Sequence, residues 1–111
     1  MAFLRACALA DIADDAALAV HVDGQDVAIA RHGDEVFAIE DMCSHASVAL
    51  SEGDYEDCTV ECWLHGSRFD LRTGKPTGLP ATEPVATFPV DVRDGDVYVD
   101  VETFLNGVTP Q

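Results

Sequence analysis

The chain has 111 residues, 48% of them hydrophobic, and carries 21 acidic against 6 basic side chains, a net charge of −15. Such a length suits one domain with a modest core and leaves no room for a second, and the apolar content argues against disorder. So acidic a balance disfavours nucleic acid as a partner, because phosphate contacts need a basic face. No apolar run reaches a membrane span and no basic-then-apolar leader opens the chain, so a cytoplasmic protein with no membrane partner is expected.

Short strands joined by tight turns account for most of the pattern. Residues 3–9 suit a first strand, and residues 11–17 suit at most one capped helical turn, too short and too polar for a lasting helix. Leu18, Val20 and Val22 alternate with Ala19, His21 and Asp23, the period of two of a half-buried strand. Asp23-Gly24 then predicts a hairpin, with Val27, Ile29 and Arg31 on the returning strand. Residues 32–35 form a second polar turn, and residues 36–40 a strand that leads toward Cys43. Residues 58–61 and 69–72 suit short strands, 73–76 a turn, and 78–84 a proline-rich loop. Phe88, Val90 and Val92 lead into Arg93-Asp94-Gly95-Asp96, and Val97, Val99 and Val101 return, with Asp91, Arg93, Tyr98 and Asp100 on the opposite face. Residues after Glu102 show no pattern. The expectation is an all-β domain, an antiparallel sandwich or a small barrel.

Two motifs carry the chemistry. Cys43-Ser44-His45 and Cys62-Trp63-Leu64-His65 each supply one soft thiolate and one imidazole, a metal-site composition, with sixteen residues between His45 and Cys62. A two-cysteine, two-histidine zinc finger presents both cysteines first and both histidines last. Here each segment can give its cysteine to one metal and its histidine to a second beside it. That division suits a two-iron, two-sulfur cluster in which two histidines replace two cysteines on one iron. A structural zinc ion would accept the same four ligands. Cys7 and Cys58 are read as free buried thiols in a reducing compartment. Cys58, four residues before Cys62, would face the same side of a strand, which makes a reserve ligand the minor alternative to a free thiol there. His21 and His32 have no cysteine nearby and are read as solvated strand or turn residues.

On these residues the sequence resembles the Rieske family, and within it the small Rieske-type 2Fe-2S ferredoxins of bacterial non-haem iron, ring-hydroxylating dioxygenase systems. Cys43-Ser44-His45 and Cys62-Trp63-Leu64-His65-Gly66-Ser67 match the family's two ligand boxes in residue type and spacing. Phe69-Asp70 and Leu79-Pro80-Ala81-Thr82 also agree, and a looser likeness covers residues 3–101. Two departures separate the chain from the high-potential members of respiratory and photosynthetic complexes. The cysteines that form a disulfide over the cluster there are Val48 and Leu64 here, and their tyrosine is Phe69. Together with the acidic chain, these imply a potential toward the lower end of the Rieske range, about −150 mV.

The resemblance implies a Rieske-type antiparallel sandwich or small barrel with a cluster-binding loop subdomain at one end. Within the single domain 1–111, residues 41–84 or so would carry the cluster, on base strands from residues 1–40 and 85–101. It implies one Rieske-type 2Fe-2S cluster held by Cys43, His45, Cys62 and His65. Gly66, Ser67, Phe69 and Pro80 would tune it: Gly66 by close backbone approach, Ser67 by donating its hydroxyl to a sulfur, Pro80 by stiffening a screening loop. Trp63 and Leu64 would form the docking edge. The implied role is a one-electron carrier, not an enzyme, between a flavin-dependent NAD(P)H ferredoxin reductase and a terminal non-haem iron oxygenase. The alternative is a Rieske-like small subunit of a larger redox complex, of the nitrite-reductase type, or a cluster protein of iron–sulfur assembly. Glu52, Asp54, Glu56, Asp57 and Glu61 lie between the boxes without one base, which suits a basic docking face on a redox partner. Arg68, Arg72 and Lys75, just after the second box, are candidates to pair with those acids.

Overall fold

Period-two apolar patterning and left-handed turns generate antiparallel strands, seen in the computed structural model, which describes residues 3–13, 16–33, 35–42, 49–62, 67–77 and 83–108. In chain order the strands are β1 (Leu4–Ala8), β2 (Ala16–Val22), β3 (Gln25–His32), β4 (Glu35–Glu40), β5 (Tyr55–Glu56), β6 (Thr59–Glu61), β7 (Arg68–Asp70), β8 (Thr87–Phe88), β9 (Val90–Arg93) and β10 (Asp96–Val99). They form three sheets, ordered β1-β10-β9, β2-β3-β4-β8 and β5-β6-β7. The fold is therefore all-β and antiparallel, as expected. Among the described residues, no helix is long and apolar enough to cross a membrane.

The four-stranded sheet is the middle layer, and β3 explains why. Val27, Ala28, Ile29 and Ala30 are all fully buried, so both faces of this strand are covered. Val27 and Ile29 point into a core with Cys7, Ala38, Phe88, Val97 and Val99, against the first sheet. Ala28 and Ala30 point the other way, with Ile39, Leu50, Val60, Phe69 and Leu71, against the third. The first two sheets make the sandwich, and β5-β6-β7 is a smaller lobe on its outer side. Chain segments 49–62 and 67–77 build that lobe, which carries Cys62.

Turn chemistry sets the hairpins. Asp23-Gly24 and Asp94-Gly95 have φ of 47° and 80°, and 51° and 80°, the paired positive values of two-residue hairpin turns. The β5–β6 hairpin turns at Asp57-Cys58 with φ of 50° and 61° and no glycine. Cys58 is thus a turn residue and not the first residue of a strand, and β5 before it lacks any turn signal that sequence would reveal. The helical turn expected over 11–17 lies earlier, as a 3-10 turn at Leu9–Asp11, and β2 already begins at Ala16. β7 ends at Asp70 because that carboxylate accepts the Arg72 N–H at 2.7 Å and its carbonyl accepts the Gly74 N–H at 2.7 Å, winding residues 71–73 into a turn.

Phe88 and Val90 were expected on one strand, yet they sit in different sheets: β8 pairs with β4, and β9 with β10. Pro89 between them has no N–H to continue a ladder, and the chain changes sheet there. Asp100 is not on the solvent face with Tyr98. It is buried, accepting the Glu102 N–H at 2.9 Å and the Thr103 hydroxyl at 2.9 Å. Residues 103–108 dock rather than trail. The Phe104 ring packs 6.1 Å from that of Phe88. Asn106 accepts the Thr87 N–H at 3.3 Å and donates to the carbonyls of Val85 at 2.8 Å and Thr73 at 2.9 Å.

Candidate metal centre

Of the residues predicted for the site, Cys62, Ser67 and Phe69 are described. Cys43, His45, Trp63, Leu64, His65, Gly66 and Pro80 lie outside the described residues, as does Val48. Among the described residues, no group of three or more His, Cys, Asp and Glu side chains gathers as a metal site.

Cys62 follows β6 directly and Ser67 precedes β7, so the hairpin register of Glu61 with Arg68 sets them face to face. The Cys62 N–H donates to the Ser67 carbonyl at 2.6 Å, which closes the neck of segment 63–66. Cys62 and Phe69 are fully buried, Ser67 nearly so, and the Cys62 thiol is in no disulfide. Arg68 lies across the outside of the hairpin, 3.4 Å from Glu61 and 3.9 Å from Glu56, and donates to the Thr59 hydroxyl at 3.2 Å. It therefore pairs with acids between the boxes, as expected. Arg72 does not: its guanidinium meets Glu35 at 3.1 Å and covers the Phe37 ring at 5.4 Å, because the turn after β7 carries it to the middle sheet.

Two contacts bring the flanks of the two boxes together. Gly53 presses against β6 so closely that a Cβ there would lie 1.6 Å from the Glu61 carbonyl oxygen. The Glu61 N–H donates to the Asp54 carbonyl at 2.9 Å. The chain leaving the first box thus runs beside the chain entering the second. Asp41, just before the first box, accepts both the N–H and the hydroxyl of Ser51, just after it, at 2.7 and 2.6 Å. Sequence reasoning missed Asp41, Ser51 and Gly53. The available signal was a short hydrogen-bonding side chain on either side of a ligand box, followed by a glycine at a turn.

Cys58 occupies the left-handed turn before β6 and Cys62 follows the strand's end, so the shared strand face on which a reserve ligand would depend is absent. Burial, with Arg72 opposing, pushes the Cys58 thiol up from 9.0, as suits an inert packed sulfur. Cys7 and Cys58 are free and buried, as expected. His21 is exposed with Nδ1 2.8 Å from Asp26. His32 is not a purely solvated residue: Nδ1 lies 2.5 Å from the Tyr55 hydroxyl, joining β3 to β5.

The chemistry of the described part fits a cluster. An unbridged thiol is available, it is dry, and the strands that hold it are pinned on both sides of a short excursion. The Rieske 2Fe-2S domain family matches residues 2–89. A 3-phenylpropionate/cinnamic acid dioxygenase ferredoxin subunit from Photorhabdus laumondii is 44% identical over 102 residues, 91% of this chain and 96% of that one. The ferredoxin of carbazole 1,9a-dioxygenase from Nocardioides aromaticivorans superposes with a TM-score of 0.85 at 34% identity, over 100% of both chains. A chain from the complex of reduced oxygenase and oxidized ferredoxin in carbazole 1,9a-dioxygenase superposes with a TM-score of 0.82 at 38% identity, over 87% of this chain and 91% of that one. A free buried cysteine at the neck of the second box, three antiparallel sheets and this kinship agree: the chain belongs to the Rieske 2Fe-2S family, as a ferredoxin that carries one cluster and transfers electrons rather than catalysing a reaction itself.

Proposed function

We propose that this protein is the ferredoxin of a multicomponent ring-hydroxylating oxygenase, taking one electron at a time from a flavin-dependent NAD(P)H reductase and passing it to a non-haem iron terminal oxygenase in the cytoplasm. The supporting observation is the likeness, along nearly the whole chain, to ferredoxin subunits of dioxygenases, one of them solved with its oxygenase. Cys43 and Cys62 would hold one iron as thiolates, and His45 and His65 would hold the other as imidazoles. When bound, the cluster supplies a reversible one-electron site whose potential is raised by replacing two thiolates with neutral ligands. The chain's own work is to keep the thiolates dry, to orient the histidines and to present an edge for docking. Gly66, Ser67, Phe69 and Pro80 form the surround, and Trp63 and Leu64 the docking edge. The exposed Glu52, Asp54, Glu56 and Asp57 favour a basic partner surface, with association weakened by salt.

Protein purified without air is expected to be red-brown, with two irons and two acid-labile sulfides per chain, and to give the low-average-g paramagnetic signal of mixed nitrogen and sulfur ligation once reduced. Cys62→Ser should abolish the colour. With purified reductase and oxygenase components, the wild-type protein should restore electron flow from NAD(P)H. A colourless protein holding one zinc would overturn the cluster assignment, and a loaded protein that no oxygenase oxidises would overturn the partner.

A further inference from the structure

Asp41 continues the β3–β4 ladder one step past β4, its N–H donating to the Asp26 carbonyl at 3.0 Å. Only 9% of its surface is exposed, and a carboxylate so buried is costly unless its oxygens are satisfied. Both are: Oδ1 accepts the Ser51 N–H at 2.7 Å, and Oδ2 accepts the Ser51 hydroxyl at 2.6 Å. Ser51 is itself held firmly. It sits in the 3-10 turn Leu50–Glu52, whose Leu50 is fully buried in the lobe core. Gly53, the residue after the turn, lies against Glu61. One end of this clasp therefore belongs to the middle sheet and the other to the lobe, and the first ligand box lies between them in the sequence.

We propose that Asp41 is a positioning residue for the cluster: its double hydrogen bond to Ser51 closes the first ligand box and holds Cys43 and His45 in place opposite Cys62. This rests on the ligand assignment above. The physical reason is preorganisation. A loop whose two ends are already joined loses less conformational freedom when its ligands bind, and charge-assisted bonds are the strongest available for the purpose. An asparagine at position 41 is neutral and offers one acceptor oxygen instead of two, so the second contact to Ser51 survives only reversed, from Nδ2–H to the hydroxyl oxygen, and both bonds lose their charge assistance. Ser51→Ala removes the hydroxyl and keeps the N–H.

The test is iron release from the loaded, folded protein to an excess of a coloured chelator, with the midpoint potential and visible circular dichroism recorded on the same samples. Asp41→Asn should release iron about tenfold faster or more, the scale on which outer partners of metal ligands act. Ser51→Ala should show a smaller acceleration, and Asp41→Asn should also shift the dichroism of the bound cluster. Asp100→Asn is the control, since Asp100 is also a buried carboxylate accepting two hydrogen bonds but serves the base of the molecule. It should lower the melting temperature and leave release at the wild-type rate. Release from Asp41→Asn within twofold of wild type, or no faster than from Asp100→Asn, would overturn the proposal. Should Asp41→Asn fail to fold, Ser51→Ala decides by the same comparison. Cys43→Ser separates the two levels: if it keeps its full iron and colour, the ligand assignment has failed. If it loses them while Asp41→Asn and Ser51→Ala behave as wild type, only the clasp has failed.

Discussion

Burial, more than any neighbouring charge, pushes the thiols of Cys7 and Cys58 up from 9.0; Asp11 adds to the effect at Cys7, and Arg72 opposes it at Cys58. The consequence for stability has a definite sign. Above pH 9.0 an unfolded chain gives up these protons while the folded chain keeps them, so the unfolded state binds fewer. Their contribution is complete below that pH and is lost as the pH rises through the folded-state values. Between about pH 8 and about pH 10.5 the thermal midpoint should fall, and replacing both cysteines by alanine should make that fall shallower. Equal slopes in wild type and double variant would show that the thiols ionise as readily folded as unfolded. That these two cysteines are free and buried could be read from the sequence, because a spare thiol with no ligand partner packs as a small hydrophobe. The role of Asp41 could not, since the partner that makes it useful lies ten residues on.

Two glycines separate conformation from contact at the level of elements. Gly95, at φ 80° in the β9–β10 turn, has open space where a Cβ would go, so Gly95→Ala should cost only the left-handed conformation, about 1–2 kcal/mol. Gly53 has an ordinary extended φ of −87°, so its penalty is steric: the added carbon would overlap the Glu61 carbonyl. Gly53→Ala should cost more than the roughly 3 kcal/mol of ordinary overpacking and should bleach the cluster, because the lobe must open to admit the methyl group. Thermal unfolding and visible absorbance of both variants check this pair. A coloured, wild-type-like Gly53→Ala would mean that the two box flanks are not held by this contact. The Asp-Gly turns were legible because glycine announces a positive φ. The Asp57-Cys58 turn adopts the same conformation without glycine, and only the lobe packing around the Cys58 side chain accounts for a cysteine there.

At the level of the molecule, the tail and the turn after β7 are tied to the middle sheet by one side chain. Asn106 bonds to Thr73, Val85, Thr87 and Val108 at 2.8–3.3 Å, and Val85 and Thr87 are buried. Asn106→Ala removes those partners from buried backbone groups and should cost about 2–3 kcal/mol, with unchanged iron content in the folded protein. Urea unfolding followed by fluorescence and by visible absorbance would measure it, and a loss under about 0.5 kcal/mol would show that water replaces the amide fully. The layered arrangement also bears on Gly74, where a Cβ would lie 2.2 Å from the Val85 carbonyl. The turn, the tail and β8 meet there at a distance that admits no side chain.

The sequence by itself determined the fold class and the hairpins at Asp23-Gly24 and Asp94-Gly95, and it is the source of the proposed ligand boxes around Cys43 and Cys62. These are local: period-two burial, positive-φ turns and ligand spacing are all properties of neighbours along the chain. Only the tertiary structure decided that β3 is covered on both faces, that Phe88 and Val90 part at Pro89 into two sheets, and that Arg72 serves Glu35 rather than the acids between the boxes. It alone decided that Asp41 meets Ser51 and that Gly53 meets Glu61. Each of these depends on which strand lies across from which, and a hydrogen bond or a close approach between distant segments leaves no periodic mark in either of them.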